Sequence, residues 1–109
     1  MQQITSLEQV DNVFREGCAL LFKHSTKCPI SASAYKEVEF FFDSNPEFPV
    51  YLIHVIEDRP VSQYVEKRTG FSHCSPQVIG LKDGRAVWQC SHTQVTSDLL
   101  EKYLGQQIP

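Results

Sequence analysis

Two short apolar runs, Cys18 to Phe22 and Val50 to Ile56, flank a segment whose hydrophobic residues recur at helical spacing. Continuous apolar runs of about four to eight residues read as strands buried on both faces, and such strands belong to parallel sheets covered by helices. The segment between them carries Ile30, Ala34, Val38 and Phe41 on one stripe, widened by Tyr35 and Phe42, with Ser33, Lys36 and Glu37 opposite. That is the pattern of a helix packed on a sheet. A strand, a crossover helix and a second parallel strand therefore form the nucleus of an α/β fold. The run from Val50 to Ile56 is the strongest strand in the chain, and its hydrophobicity predicts a place at the centre of the sheet.

The remaining segments extend this nucleus. Ile4 suits a short first strand. Ser6 is a plausible N-cap for a helix that buries Leu7, Val10, Val13 and Phe14 and stops at Gly17. The crossover helix should end near Asp43, ahead of Ser44-Asn45-Pro46. Pro60 opens a further helix with Val61, Tyr64, Val65 and Arg68 at helical spacing and Gly70 at its stop. Gln77 to Lys82, the turn Asp83-Gly84 and Ala86 to Cys90 read as a hairpin, and a last helix from Thr96 presents Leu99, Leu100, Tyr103 and Leu104. The expected order is (β)αβαβαββα: a single domain over residues 1–109 with a mixed sheet of four to five strands flanked by helices.

At 109 residues the chain is long enough for one packed core. Hydrophobic residues make up 41% and charged ones 21%, which suits a globular protein. A net charge of −3 argues against nucleic acid as a partner. No apolar stretch approaches the roughly 18 residues of a membrane span. The segment from Met1 to Glu8 lacks the basic start and apolar core of a secretory signal, so a cytoplasmic location is expected. In that setting the four cysteines, Cys18, Cys28, Cys74 and Cys90, are expected to be reduced thiols. No two of them stand close enough to form a zinc-ligand pair, so no metal site is expected.

The chemistry concentrates at the junction Lys23-His24-Ser25-Thr26-Lys27-Cys28-Pro29-Ile30-Ser31, where the first strand of the nucleus gives way to its helix. With Cys28 at the N-cap, Pro29 takes the first helical position, where its missing N–H costs nothing. The amides of Ile30 and Ser31 are then expected to point at the Cys28 sulfur, and the positive end of the helix dipole favours a thiolate there. Lys27 and Lys23 add positive charge, and the Ser31 hydroxyl is a further donor. Cys28 is therefore expected to be an ionised, nucleophilic cysteine.

This arrangement, with a proline before the hairpin, resembles the thioredoxin fold. The segment Cys28-Pro29-Ile30-Ser31, with serine where a two-cysteine redox motif has its second thiol, matches the monothiol layout. Four stretches together resemble the YtxJ-type monothiol bacilliredoxins: Lys23 to Ser31, Ser75-Pro76-Gln77, Trp88 with Ser91-His92, and the helix from Thr96. The resemblance implies an enzyme that removes bacillithiol from S-bacillithiolated client proteins, with no bound cofactor and with bacillithiol as co-substrate. It also implies a cis peptide at Pro76, with the backbone of Ser75 and the neighbouring Gln77 contributing to substrate binding. Two features depart from the family pattern. Lys27 stands where threonine is expected before the cysteine, and Cys74 and Cys90 are thiols that the pattern does not require.

On this reading Cys28 attacks the bacillithiol sulfur of a mixed disulfide, the client thiol leaves, and a second thiol later releases the carried bacillithiol. That second thiol is free bacillithiol, Cys74 or a reductase partner. Cys74 is either this resolving thiol or a small buried hydrophobe, whereas Cys18 and Cys90 are expected to be buried, inert members of strands. Lys23 either binds a bacillithiol carboxylate or is a solvated strand-end lysine. His24 either tunes the thiol or packs at a loop. His54 reads as a core histidine and Trp88 as a residue in or beside the core. Two alternatives from other classes are an iron–sulfur carrier of the monothiol glutaredoxin type and a thioredoxin-like binding module without turnover.

Overall fold

The computed structural model of the chain describes residues 1–107. Its elements are β1 (Gln2–Gln3), α1 (Leu7–Arg15), β2 (Ala19–His24), α2 (Pro29–Ser44), β3 (Val50–His54), α3 (Arg59–Thr69), β4 (Gln77–Lys82), β5 (Arg85–Ser91) and α4 (Ser97–Gln107), with a 3₁₀ turn at His92–Gln94. The five strands form one mixed sheet in the order β1-β3-β2-β4-β5. β1 and β2 each run parallel to β3, while β4 is antiparallel to both β2 and β5. The expected α/β, thioredoxin-like order is present. β3 is interior, but β2 is the middle strand, because the closing hairpin adds to the free edge of β2 and leaves only the two-residue β1 beyond β3.

Local signals set the element ends. Ser6 caps α1 through a capping box: its Oγ accepts from the Gln9 amide at 3.2 Å, and the Gln9 side chain accepts from the Ser6 amide at 3.1 Å. α3 closes on Gly70 in the left-handed region, where a side chain would be strained. Asp83 and Gly84 both have positive φ, as a two-residue turn of a twisted hairpin requires.

Strand alternation distributes β2 between two cores. Leu20 and Phe22 pack with Ala34, Val38 and Phe41 of α2 and Leu100, Tyr103 and Leu104 of α4. Ala19 and Leu21 face the other way, into Val10 and Val13 of α1 and Val61 and Val65 of α3. The two helices of that second layer are also tied by Asp11, which pairs with Arg68 and accepts from the Tyr64 hydroxyl at 2.6 Å. Arg68, at helical spacing with Val61, Tyr64 and Val65, lies over the Phe14 ring with its charge on Asp11. Leu7 and Ile30, in the first turns of α1 and α2, are exposed and fall outside the core.

At the seam between β4 and α4 the backbone of Gly80 meets the Tyr103 ring, and a Cβ added there would lie 2.5 Å from the ring's Cζ. Trp88, the ladder partner of Gly80, stacks on the same Tyr103 ring at 4.6 Å. Gly80→Ala should therefore destabilise the fold by about 1–3 kcal/mol through overpacking. Chemical denaturation of the purified variant measures this, and an unchanged midpoint would refute it.

Candidate active site

β2 runs through His24, and a short loop of Ser25, Thr26 and Lys27 then delivers Cys28 to the start of α2. Cys28 is the N-cap in extended conformation, Pro29 is the first helical residue, and the Ala32 amide donates to the Cys28 carbonyl at 3.0 Å. The sulfur is half-buried and in no disulfide. Its environment differs from expectation in one respect. No first-turn amide donates to the sulfur, so the Ile30 and Ser31 amides are not its hydrogen-bond partners in this state. Ile30 is 45% exposed, and Lys27 stands open to solvent beside the cysteine. The first turn of α2 holds no acidic residue, leaving the positive end of its dipole unneutralised.

Ser31 serves the loop instead of the sulfur. It is fully buried, its Oγ accepts from the Ser25 amide at 2.9 Å, and it lies 2.7 Å from Nδ1 of His24. The same hydroxyl thus clasps the end of β2 and both sides of the loop that presents Cys28. Burial pushes the His24 imidazole below its ordinary basicity; nearby His54 adds to the fall, and Glu57 and the Ser31 hydrogen bond oppose it. His24 packs against Tyr35, with ring centroids 5.0 Å apart, which favours the packing role. His54 is half-buried and bonded to Gln3 at 3.1 Å.

The segment leading into β4 carries the other residues expected at the site. The Ser75-Pro76 peptide is cis, and the Pro76 carbonyl accepts from the His92 amide at 3.0 Å. Ser75 Oγ is buried without a hydrogen-bond partner among the described residues. Gln77, expected to meet substrate, is 1% exposed and its amide is spent inside the protein. It donates to the Ser72 carbonyl and to Gln89, and accepts from the Cys74 amide at 3.4 Å. Gln77 therefore braces the 72–74 loop.

Lys23 requires the largest correction. It is neither a solvated lysine nor open to a carboxylate from solvent: its exposure is 0%, and Nζ has no hydrogen-bond partner among the described residues. The sequence reading ended the strand at Phe22, whereas β2 continues to His24, and alternation then turns Lys23 inward on the Leu21 face. Burial pulls its pKa from 10.5 down to about 8, against the opposing pull of Glu66 and Cys74.

The other thiols divide. Cys90 is buried in β5, and burial pushes it up to about 12, in keeping with an inert thiol. Cys18, expected in a strand and buried, lies just before β2 and is half-buried, because the strand starts one residue later. Cys74 is half-buried on the 72–74 loop. Among the described residues no group of three or more His, Cys, Asp or Glu is placed to hold a metal ion, and no helix is long and apolar enough to cross a membrane.

A half-exposed cysteine capping the first crossover helix, with a cis-proline turn leading into β4, defines a thiol oxidoreductase of the thioredoxin fold. The chain belongs to the monothiol bacilliredoxin BrxC family, whose pattern it matches over residues 2–100. Its structure is similar to one assigned only provisionally as an oxidoreductase with a thioredoxin fold, at 30% identity and a TM-score of 0.87, covering 93% of this chain and 90% of that one. The thioredoxin of Fasciola hepatica (15% identity, TM-score 0.77, 98% and 99% covered) shares the fold. So does mitochondrial thioredoxin 3 of Saccharomyces cerevisiae (15% identity, TM-score 0.78, 97% and 94% covered).

The Lys23 environment has a measurable consequence. Its proton is held less tightly in the folded state than in the unfolded one, so stability is lowest below pH 8 and rises as pH climbs toward 10.5. The penalty carried by the charged form is about 3 kcal/mol at most. Lys23→Met should be more stable than the parent at pH 7 by up to that amount, about 3 kcal/mol, and should lose the alkaline rise. Urea denaturation across pH 7 to 10 tests both, and a destabilised variant at pH 7 would count against the assignment.

Proposed function

We propose that the chain removes bacillithiol from S-bacillithiolated client proteins by monothiol exchange at Cys28. The observation that carries this reading is the first turn of α2. It places one accessible cysteine at the N-cap and, three residues on, a serine whose hydroxyl is committed to His24 and Ser25. No thiol in that turn can displace a carried group by closing a disulfide. Membership of the monothiol bacilliredoxin family supports the choice of bacillithiol as the group carried.

In the reaction the Cys28 thiolate attacks the bacillithiol sulfur of the mixed disulfide. The client's S–S bond breaks, the client leaves as thiolate and takes a proton from solvent, and Cys28 now carries bacillithiol through a new disulfide. A free bacillithiol thiolate then attacks the carried sulfur, giving bacillithiol disulfide and restoring Cys28; a reductase partner would reduce that product. The first turn of α2, free of acidic residues, and the exposed Lys27 side chain flank the attacking sulfur. The protein itself contributes placement, a polar clasp for the loop and a first helical turn without a second thiol.

Incubating a bacillithiolated protein with the purified chain tests the proposal, with the adduct located by peptide mass spectrometry. The expected result is client release with a bacillithiol adduct on Cys28, and no release by Cys28→Ser. Transfer that persists in Cys28→Ser at the parental rate would overturn it.

A further inference from the structure

The turn that presents Cys28 is built on Ser25. The Ser25 carbonyl accepts from the Cys28 amide at 3.4 Å, its Oγ accepts from the Lys27 amide at 3.4 Å, and its own amide donates to Ser31 Oγ at 2.9 Å. Ser31 Oγ in turn lies 2.7 Å from Nδ1 of His24. A continuous chain of hydrogen bonds therefore runs from His24 through Ser31 and Ser25 to Cys28.

The direction of these bonds selects the state of the imidazole. A backbone amide can only donate, so Ser31 Oγ is the acceptor for Ser25. Ser31 is fully buried, its hydroxyl carries one proton, and among the described residues its only other hydrogen-bond contact is Nδ1 of His24. One arrangement satisfies all three groups: the Ser31 hydroxyl donates to an unprotonated Nδ1, and His24 carries its hydrogen on Nε2. Around the ring, His54 stands opposite in the β2/β3 ladder with centroids 6.0 Å apart, and Tyr35 of α2 packs at 5.0 Å. Glu57, which follows β3 and accepts from the Thr26 hydroxyl at 3.4 Å, is the carboxylate that acts on it. Burial and His54 hold the imidazole below its ordinary basicity, against the pull of Glu57 and Ser31.

We propose that His24 is a positioning residue for Cys28: as the neutral Nε2–H tautomer it orients the Ser31 hydroxyl, and its protonation releases the turn that holds the cysteine in place. Protonation puts a second donor on an oxygen that already holds the Ser25 amide, deprives the Ser31 proton of its acceptor and sets a cation against His54. Parting His24 from Ser31 relieves all three, and it does so by opening the clasp. Acid therefore lowers the reactivity of each Cys28 thiolate, beyond the loss of thiolate itself. This role rests on Cys28 being the reactive thiol of the proposed function. It holds whichever small thiol is carried, so a chain that fails to carry bacillithiol can still show it.

The test is alkylation of the full chain with iodoacetamide, with Cys28 modification followed by peptide mass spectrometry from about pH 8 downward. The Cys28 thiolate fraction is read in parallel from the difference in ultraviolet absorbance between the chain and Cys28→Ser. The rate per thiolate should fall several-fold as pH drops below 6.5, the ordinary histidine value. His24→Asn, which offers Oδ1 in place of Nδ1 and does not titrate, should keep the rate seen at neutral pH and lose the acid fall. His24→Phe, which keeps a ring against Tyr35 but has no acceptor, should react several-fold more slowly at every pH. Nitrogen-15 NMR of the histidine rings reads the tautomer and the titration of His24 in the parent, whatever the variants do. An Nδ1–H tautomer at about pH 8, or a rate per thiolate that stays level through the titration of His24, would overturn the proposal.

Discussion

The double burial of β2 governs the rest of the molecule. As the middle strand it has a partner on each edge and a helical layer on each face, so its residues alternate strictly between two cores. Leu20, Phe22 and His24 look toward α2, and Leu21 and Lys23 toward α3. A shift of one residue would exchange these sets, placing the Lys23 ammonium against the aromatic layer and Phe22 beneath the 72–74 loop. Because register is fixed so firmly, the strand ends at a defined place, and Cys28 is delivered at a defined height above the sheet.

What happens beyond the strand depends on one hydroxyl. Ser31 receives the Ser25 amide and meets His24, closing a small buried polar knot between the last residue of β2 and the first turn of α2. A neutral His24 suits this knot, because a cation there would be desolvated and would face His54. The serine that marks the chain as monothiol is thus also a structural clasp, which ties the redox character of the site to the geometry that presents its cysteine. In the segment leading into β4, Gln77 does comparable work for the loop bearing Cys74, and Lys23 is its ladder partner on β2.

Much of this was legible in the residues. The two apolar runs around an amphipathic helix gave the parallel nucleus, Ser6 and Gly70 marked helix ends through their capping chemistry, and Asp83-Gly84 marked the hairpin turn through its need for positive φ. Cys28-Pro29 announced a helix start because proline is favoured in the first turn. The errors share a cause. Lys23 was read as a solvated or ligand-binding lysine because charge argues for exposure, and hydropathy cannot see that a strand continues through a lysine when its ladder partners Gln77 and Ile53 hold it in register. The family resemblance places Gln77 at the substrate, and the position of Ser31 in the first turn of α2 makes its hydroxyl an expected donor to the Cys28 sulfur. Their hydrogen bonds instead turn inward, Ser31 to Ser25 and His24, and Gln77 to Ser72, Cys74 and Gln89.

The sequence by itself determined the element order, the layered α/β class, the place of Cys28 at the head of its helix and the absence of a second thiol three positions on. Each of these follows from periodicity, capping preference or residue identity, which are local properties. Only the tertiary structure decided that β2 is the middle strand, that Ser31 faces His24, and that Lys23 lies buried opposite Gln77. Those outcomes depend on which strands pair and on which side chains then compete for one enclosed space, and such competition between remote segments leaves no local trace in the order of residues.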